Sequence, residues 1–100
     1  MSNEFKGPEF RVRKDTDIKN LASAIYANIK NVDHLELKCV GVSAVNQAVK
    51  AVIIARGLSA PSGFDIIIKP YFDMLSIEGE EKTAVGMILE RIEGGLINED

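Results

Sequence analysis

A chain of 100 residues and 10.9 kDa, 46% hydrophobic and 27% charged, has material for one core, which excludes a multidomain machine and a disordered polymer. Its single cysteine, Cys39, excludes a disulfide framework and a cysteine-built zinc cage. The net charge of −3 argues against coating nucleic acid by bulk attraction.

No run approaches the ~18 apolar residues of a membrane span, and Met-Ser-Asn-Glu-Phe-Lys-Gly-Pro has no apolar signal core. Together with the lone thiol, this points to the cytoplasm. The charge is unevenly spread. Residues 1–50 hold eight Lys/Arg against six Asp/Glu, and residues 51–100 hold four against nine. Any anion-facing surface is therefore expected mostly from the first half.

Residues 1–8, ending in the breaker pair Gly7-Pro8, read as a flexible segment. One domain is expected over 9–92, with a flexible tail over 93–100. From Glu9 to Arg13, Phe10 and Val12 alternate with Glu9, Arg11 and Arg13, the period of a half-buried strand. Asp15, Thr16 and Asp17 supply helix-capping oxygens, and Ile18, Leu21, Ala22, Ile25 and Ile29 follow at helical spacing to about Lys30. After a turn at Asn31–Asp33, Leu35, Leu37 and Cys39 alternate with His34, Glu36 and Lys38 as a second strand.

The segment Ser43–Ile54 reads as a second helix, with Val45, Val49, Val52 and Ile53 on one face and Ala48, Ala51, Ile54 and Ala55 widening the apolar zone. Only Asn46, Gln47 and Lys50 form a polar stripe. A helix apolar most of the way round needs cover on two sides, and a second subunit is one such cover. Gly57 is placed to end this helix, and Ala60-Pro61-Ser62-Gly63 suits a type I turn.

Phe64, Ile66 and Ile68 begin a third strand. Past Pro70 its alternation runs through Phe72 and Met74 and changes phase to Leu75 and Ile77, as a bulge would cause. Glu78-Gly79-Glu80-Glu81 is a polar hairpin connection, and Thr83, Val85, Met87 and Leu89 alternate on the returning fourth strand, which ends near Arg91. The order β-α-β-α-β-β implies right-handed crossovers. The expected fold is an α/β two-layer sandwich: a mixed four-stranded sheet with both helices on one face. Arg11, Arg13, Glu36 and Lys38 are expected to keep the first half of the opposite face wet.

Catalysis by acid and base calls for a histidine or paired carboxylates in a pocket. His34 is the only histidine and has no metal-ligating residue spaced near it, so it reads as a surface ring without a task. Cys39 lies on an apolar strand face as a small hydrophobe. Glu78, Glu80 and Glu81 offer too few converging oxygens for a hard cation. The chain has neither a phosphate-loop nor a dinucleotide fingerprint, and no nucleophile elbow. No enzyme activity, cofactor or metal is implied.

The informative segment is Gly41-Val42-Ser43-Ala44-Val45-Asn46-Gln47-Ala48-Val49-Lys50. It sets a glycine, a capping Ser43 and then Asn46, Gln47 and Lys50 at the positive start of a helix, where free backbone amides attract phosphate. Plain capping, with Asn46 and Gln47 tied to a neighbouring strand or subunit, accounts for the same spacing.

That run, continued through Ala51-Val52-Ile53-Ile54-Ala55-Arg56-Gly57, then Ala60-Pro61-Ser62-Gly63, then Ile77-Glu78-Gly79-Glu80-Glu81-Lys82-Thr83-Ala84, resembles the stage V sporulation protein S (SpoVS) family over about residues 9–92. The departures are Lys14-Asp15-Thr16-Asp17, in place of a helix start richer in Ser and Pro, and Val42-Ser43, where smaller residues are more usual. The resemblance implies an Alba-like fold and a non-catalytic regulator of bacterial spore development that binds DNA or RNA as a homodimer. In the wider group, contacts come from the loop before the second helix and from the last hairpin. Mapped by position, these are Lys38, Gly41, Ser43, Asn46, Gln47 and Lys50, with the hairpin at Gly79 to Lys82. Three glutamates in that hairpin repel phosphate, and only Lys82 opposes them, so the hairpin is not read as a DNA arm. Arg56 and Lys69 complete the cations expected to position a backbone. The alternative is a protein-interaction or assembly module, in which the apolar second helix and the acidic hairpin dock a partner without touching nucleic acid.

Overall fold

The computed structural model describes residues 7–94. The expectations for the two ends fall largely on residues 1–6 and 95–100, outside that range. The elements are β1 (Glu9–Val12), α1 (Ile18–Ile29), β2 (His34–Cys39), α2 (Val42–Ser59), a 3₁₀ turn (Ala60–Ser62), β3 (Phe64–Ile77) and β4 (Glu80–Glu93). The sheet order is β1-β2-β4-β3, with β1 parallel to β2 and the other two pairs antiparallel. This is the expected β-α-β-α-β-β sandwich with a mixed four-stranded sheet.

Local chemistry sets the first helix. Asp17 stands at its N-cap and its Oδ1 accepts the Asn20 amide at 2.8 Å. Leu21, Ala22, Ile25 and Ile29 then bury one face. They meet Leu35, Leu37 and Cys39 of β2, Met87 and Leu89 of β4, and the alanines of α2 in one core cluster, so both helices cover the same sheet face. Side chains such as Ile25, Leu37 and Leu89, fully buried, contribute roughly 1.5–3 kcal/mol each. At one end of the core Phe64 stacks on Tyr26 with centroids 6.2 Å apart, and the Arg91 guanidinium lies 4.4 Å from the Phe64 ring centroid.

The second helix departs from the expected pattern. Its buried residues are Ala44, Ala48, Ala51, Val52, Ala55 and Ser59. The larger Val42, Val49, Ile53, Ile54 and Leu58 are exposed. Small side chains let α2 approach α1 and the sheet closely, which leaves the bulky aliphatics for the outer surface.

Gly57 does not end this helix. The chain stays helical to Ser59 and tightens into the 3₁₀ turn, because the left-handed residue that stops it is Gly63, at φ 89° with its amide bonded to the Ala60 carbonyl at 3.0 Å. Nor does Ser43 cap the start. Gly41, at φ 95°, is the N-cap without a side-chain bond, and the helix begins at Val42.

The third strand has no bulge. Its register with β4 is unbroken from Phe64 opposite Glu93 to Ile77 opposite Glu80. As an edge strand, β3 tolerates Pro70 where the missing amide would face away from the ladder. The phase change has another cause, since the hairpin outruns the helical layer. Phe64 and Ile66 are buried against the helices, whereas Tyr71, Asp73, Leu75 and Ile77 are half-buried on the opposite face. The connection shortens to Glu78 and Gly79, both at positive φ, the two-residue turn that matches strand twist.

The opposite face is also less wet than expected. Arg11 and Arg13 are exposed, but Glu36 is only 5% exposed and the Lys38 side chain only 17%. Tyr71 and Asp73 reach over from β3 across the glycine of β4 and cover them. A Cβ at Gly86 would lie 2.2 Å from Tyr71 Cζ. Gly86→Ala is therefore expected to lower stability by about 1–3 kcal/mol, the usual range for overpacking. Urea denaturation should show this, and adding Tyr71→Ala should make the second change cost less than it does alone.

Candidate nucleic-acid interface

The N-terminal end of α2 opens onto a concavity of about 440 Å3 lined by Arg11, Arg13, Lys14, Val40, Gly41, Val42, Ser43 and Ile77. Three segments far apart in sequence meet there. Arg11 lies on β1, paired in register with Lys38. Arg13 and Lys14 follow in a turn held by the Arg13 amide on Thr16 Oγ1 at 2.8 Å and the Thr16 amide on the Arg13 carbonyl at 3.1 Å. Gly41 then turns the chain into α2, where the first helical bond runs from the Val45 amide to the Gly41 carbonyl at 3.2 Å. The amides of the first turn are left without intrahelical carbonyls, and that turn holds no acidic residue. Arg11, Arg13 and Lys14 are exposed and in no ion pair among the described residues.

Of the residues expected from the sequence to touch nucleic acid, only Gly41 and Ser43 line this concavity. Asn46 and Lys50 are exposed further along α2. Gln47 is half-buried, and its amide nitrogen donates to the Thr16 carbonyl at 2.8 Å, stitching α2 to the turn that carries Arg13 and Lys14. The remaining cations are each engaged by a carboxylate. Arg56 forks onto Asp65 at 2.7 and 2.9 Å, Lys69 meets Glu90 at 3.1 Å, and Lys82 meets Glu80 at 3.4 Å.

Lys38 is the most enclosed. Its Nζ lies 2.5 Å from Asp73, 3.8 Å from Glu36 and 5.9 Å from the centre of the Tyr71 ring. Burial opposes its charge, but the Asp73 hydrogen bond and nearby Glu36 outweigh that and raise its pKa. The same hydrogen bond holds the Asp73 carboxyl below the ordinary carboxylate range. Burial pushes Glu36 up, against the pull of Lys38. Cys39 is buried in the core, where desolvation lifts its thiol to about 11.

Arg11, Arg13 and Lys14, which line the concavity, stand outside the contacts expected from the sequence. The available signal was Arg-Val-Arg-Lys at the end of a strand, three cations in four residues. The strand period conceals it, because Arg11 and Arg13 are also the solvent-facing positions of the alternation with Phe10 and Val12.

A mixed sheet with two helices on one face and a long terminal hairpin is an Alba-like fold. A solved structure, Alba from Thermoplasma volcanium, shares this fold with a TM-score of 0.57 and 18% sequence identity, over 83% of this chain and 99% of that one. The chain belongs to the Stage V sporulation protein S (SpoVS) family, whose model matches residues 9–92. No helix among the described residues is long and apolar enough to cross a membrane.

Proposed function

We propose that this SpoVS-family protein is a non-catalytic, cytoplasmic regulator of sporulation that binds nucleic acid as a homodimer. The observation that supports it best is the convergence of Arg11, Arg13 and Lys14, in no ion pair among the described residues, on the start of α2 at Gly41 to Ser43, where no side chain caps the helix. Cations beside free amides suit phosphate oxygens, and Ser43, Asn46 and Lys50 extend the same polar surface. Lys38, Gln47, Arg56, Lys69 and Lys82 have internal partners, so their part in phosphate contact is the smaller one. The outward aliphatics of α2, with Phe72 83% and Met74 55% exposed on β3, support self-association.

Three cations per protomer give a modest salt dependence. Each phosphate neutralised contributes roughly −0.9 to the slope of log affinity against log salt for duplex DNA and roughly −0.7 for a single strand. Titration of labelled DNA and RNA at two salt concentrations is expected to show binding with a slope of about −2 to −3 per protomer. Arg13→Ala should flatten the slope by just under about one unit and weaken binding to all sequences alike. Absence of binding at low salt would remove the proposal.

A further inference from the structure

The concavity is not simply cationic. Val42, the first residue of α2, is 86% exposed. It shares the concavity with Val40 and Ile77, both half-buried. Three aliphatic side chains thus lie among Arg11, Arg13 and Lys14. Pressing aliphatic groups onto a phosphate ribbon would strip its hydration without replacing it. A ligand that satisfies both kinds of lining carries an anion and an apolar plane within one small unit.

A second observation limits the ligand on one side. Ile77 is followed directly by the hairpin tip with Glu78, Glu80 and Glu81, whose one cation, Lys82, is occupied by Glu80. A duplex carries two phosphate ribbons, about one charge per 1.7 Å of axis, and its second ribbon would face those carboxylates. Its base faces are also stacked on one another, so that only edges show in the grooves, and unstacking a step is costly. A single strand has one ribbon and bases free to turn out.

We infer that this concavity receives one unpaired nucleotide, its phosphate on Arg11, Arg13 or Lys14 and its base or sugar against Val40, Val42 and Ile77, so that the protein prefers single-stranded to duplex nucleic acid. The inference rests on the nucleic-acid reading above. At about 440 Å3 the space falls within the range of ligand pockets, roughly 300–1,000 Å3.

The test is fluorescence anisotropy of the full chain against labelled single-stranded DNA, single-stranded RNA and duplex DNA of matched sequence, about 20 nucleotides long, at roughly 50 mM salt. Single strands are expected to bind about fivefold or more tighter than duplex, at the low end of what base contacts supply. Either sugar satisfies the inference, because base faces are common to both. Val42→Ser should erase most of that preference with the salt slope unchanged, and Val42→Leu, which keeps an apolar surface, should retain or increase it. Equal or tighter duplex binding, or a Val42→Ser effect of the same size on both forms, overturns the inference and leaves nucleic-acid binding standing. Failure of the unaltered protein to bind any of the three ligands overturns both.

Discussion

On the proposed homodimer, Phe72→Asp is expected to leave a folded monomer. Phe72 is 83% exposed and lies with Met74 on the part of β3 that outruns the helices. Ile53, Ile54 and Leu58 of α2, with Val49, add an apolar surface on a second element. In a two-fold assembly each change occurs twice. Exposing two phenylalanine side chains forfeits roughly 1.5–3 kcal/mol each, and burying two carboxylates in their place adds a further cost. Dissociation should therefore strengthen by at least about 100-fold, since every 1.4 kcal/mol is tenfold. Light scattering after size exclusion reads the mass, and circular dichroism checks the fold. A Phe72→Asp protein that keeps the mass and concentration dependence of the original would remove Phe72 from the proposed dimer contact, and an unaltered protein of monomer mass would remove the dimer itself.

The second large effect concerns Lys38→Met, which removes the cation from between Glu36 and Asp73. Breaking a buried ion pair by deleting one partner costs about 3–5 kcal/mol. This cluster lies nearer the surface, with side-chain exposures of 17% for Lys38 and 23% for Asp73, so about 2–3 kcal/mol is expected at pH 7. The pH dependence follows from the two carboxyl groups. Asp73 is held below its ordinary value by Lys38, so its stabilisation is present above about pH 4 and lost on further acidification. Glu36 is raised by burial, so it favours the fold most when protonated and loses that advantage as pH rises through its elevated value.

Without Lys38 nothing opposes the rise of Glu36, and Asp73 loses the hydrogen bond that depresses it. Both carboxyls then take up protons more readily in the folded state. The stability deficit of Lys38→Met should consequently shrink between pH 7 and pH 5, by urea denaturation, and Glu36→Gln added to it should recover part of the loss at pH 7. A deficit equal at both pH values, with no recovery, would show that Lys38 acts there only through the packing of its aliphatic stem.

Much of this protein follows from local chemistry alone. Asp17 and the spacing of Leu21, Ile25 and Ile29 determine α1, and the alternation of Leu35, Leu37 and Cys39 determines β2 and its buried face. Glu78-Gly79 between alternating runs determines the hairpin. These signals act over a few residues, through capping, side-chain period and allowed backbone angles, so they survive in the sequence unaided. The turn chemistry at Ala60-Pro61-Ser62-Gly63 was legible too, although the helix before it ran past Gly57 because no positive φ is required there.

What only the tertiary structure decided is which charges remain available. Lys38 finds Asp73 across 35 positions of chain and Lys69 finds Glu90 across 21, so cations that look free in the sequence are neutralised by partners that the sheet order brings alongside. The reverse holds for Arg11, Arg13 and Lys14, which the fold sets beside Gly41, Val42 and Ile77 without giving them a carboxylate among the described residues. Helical and strand periods are written residue by residue, whereas charge pairing depends on distances between segments, and those distances exist only once the sheet has closed its register.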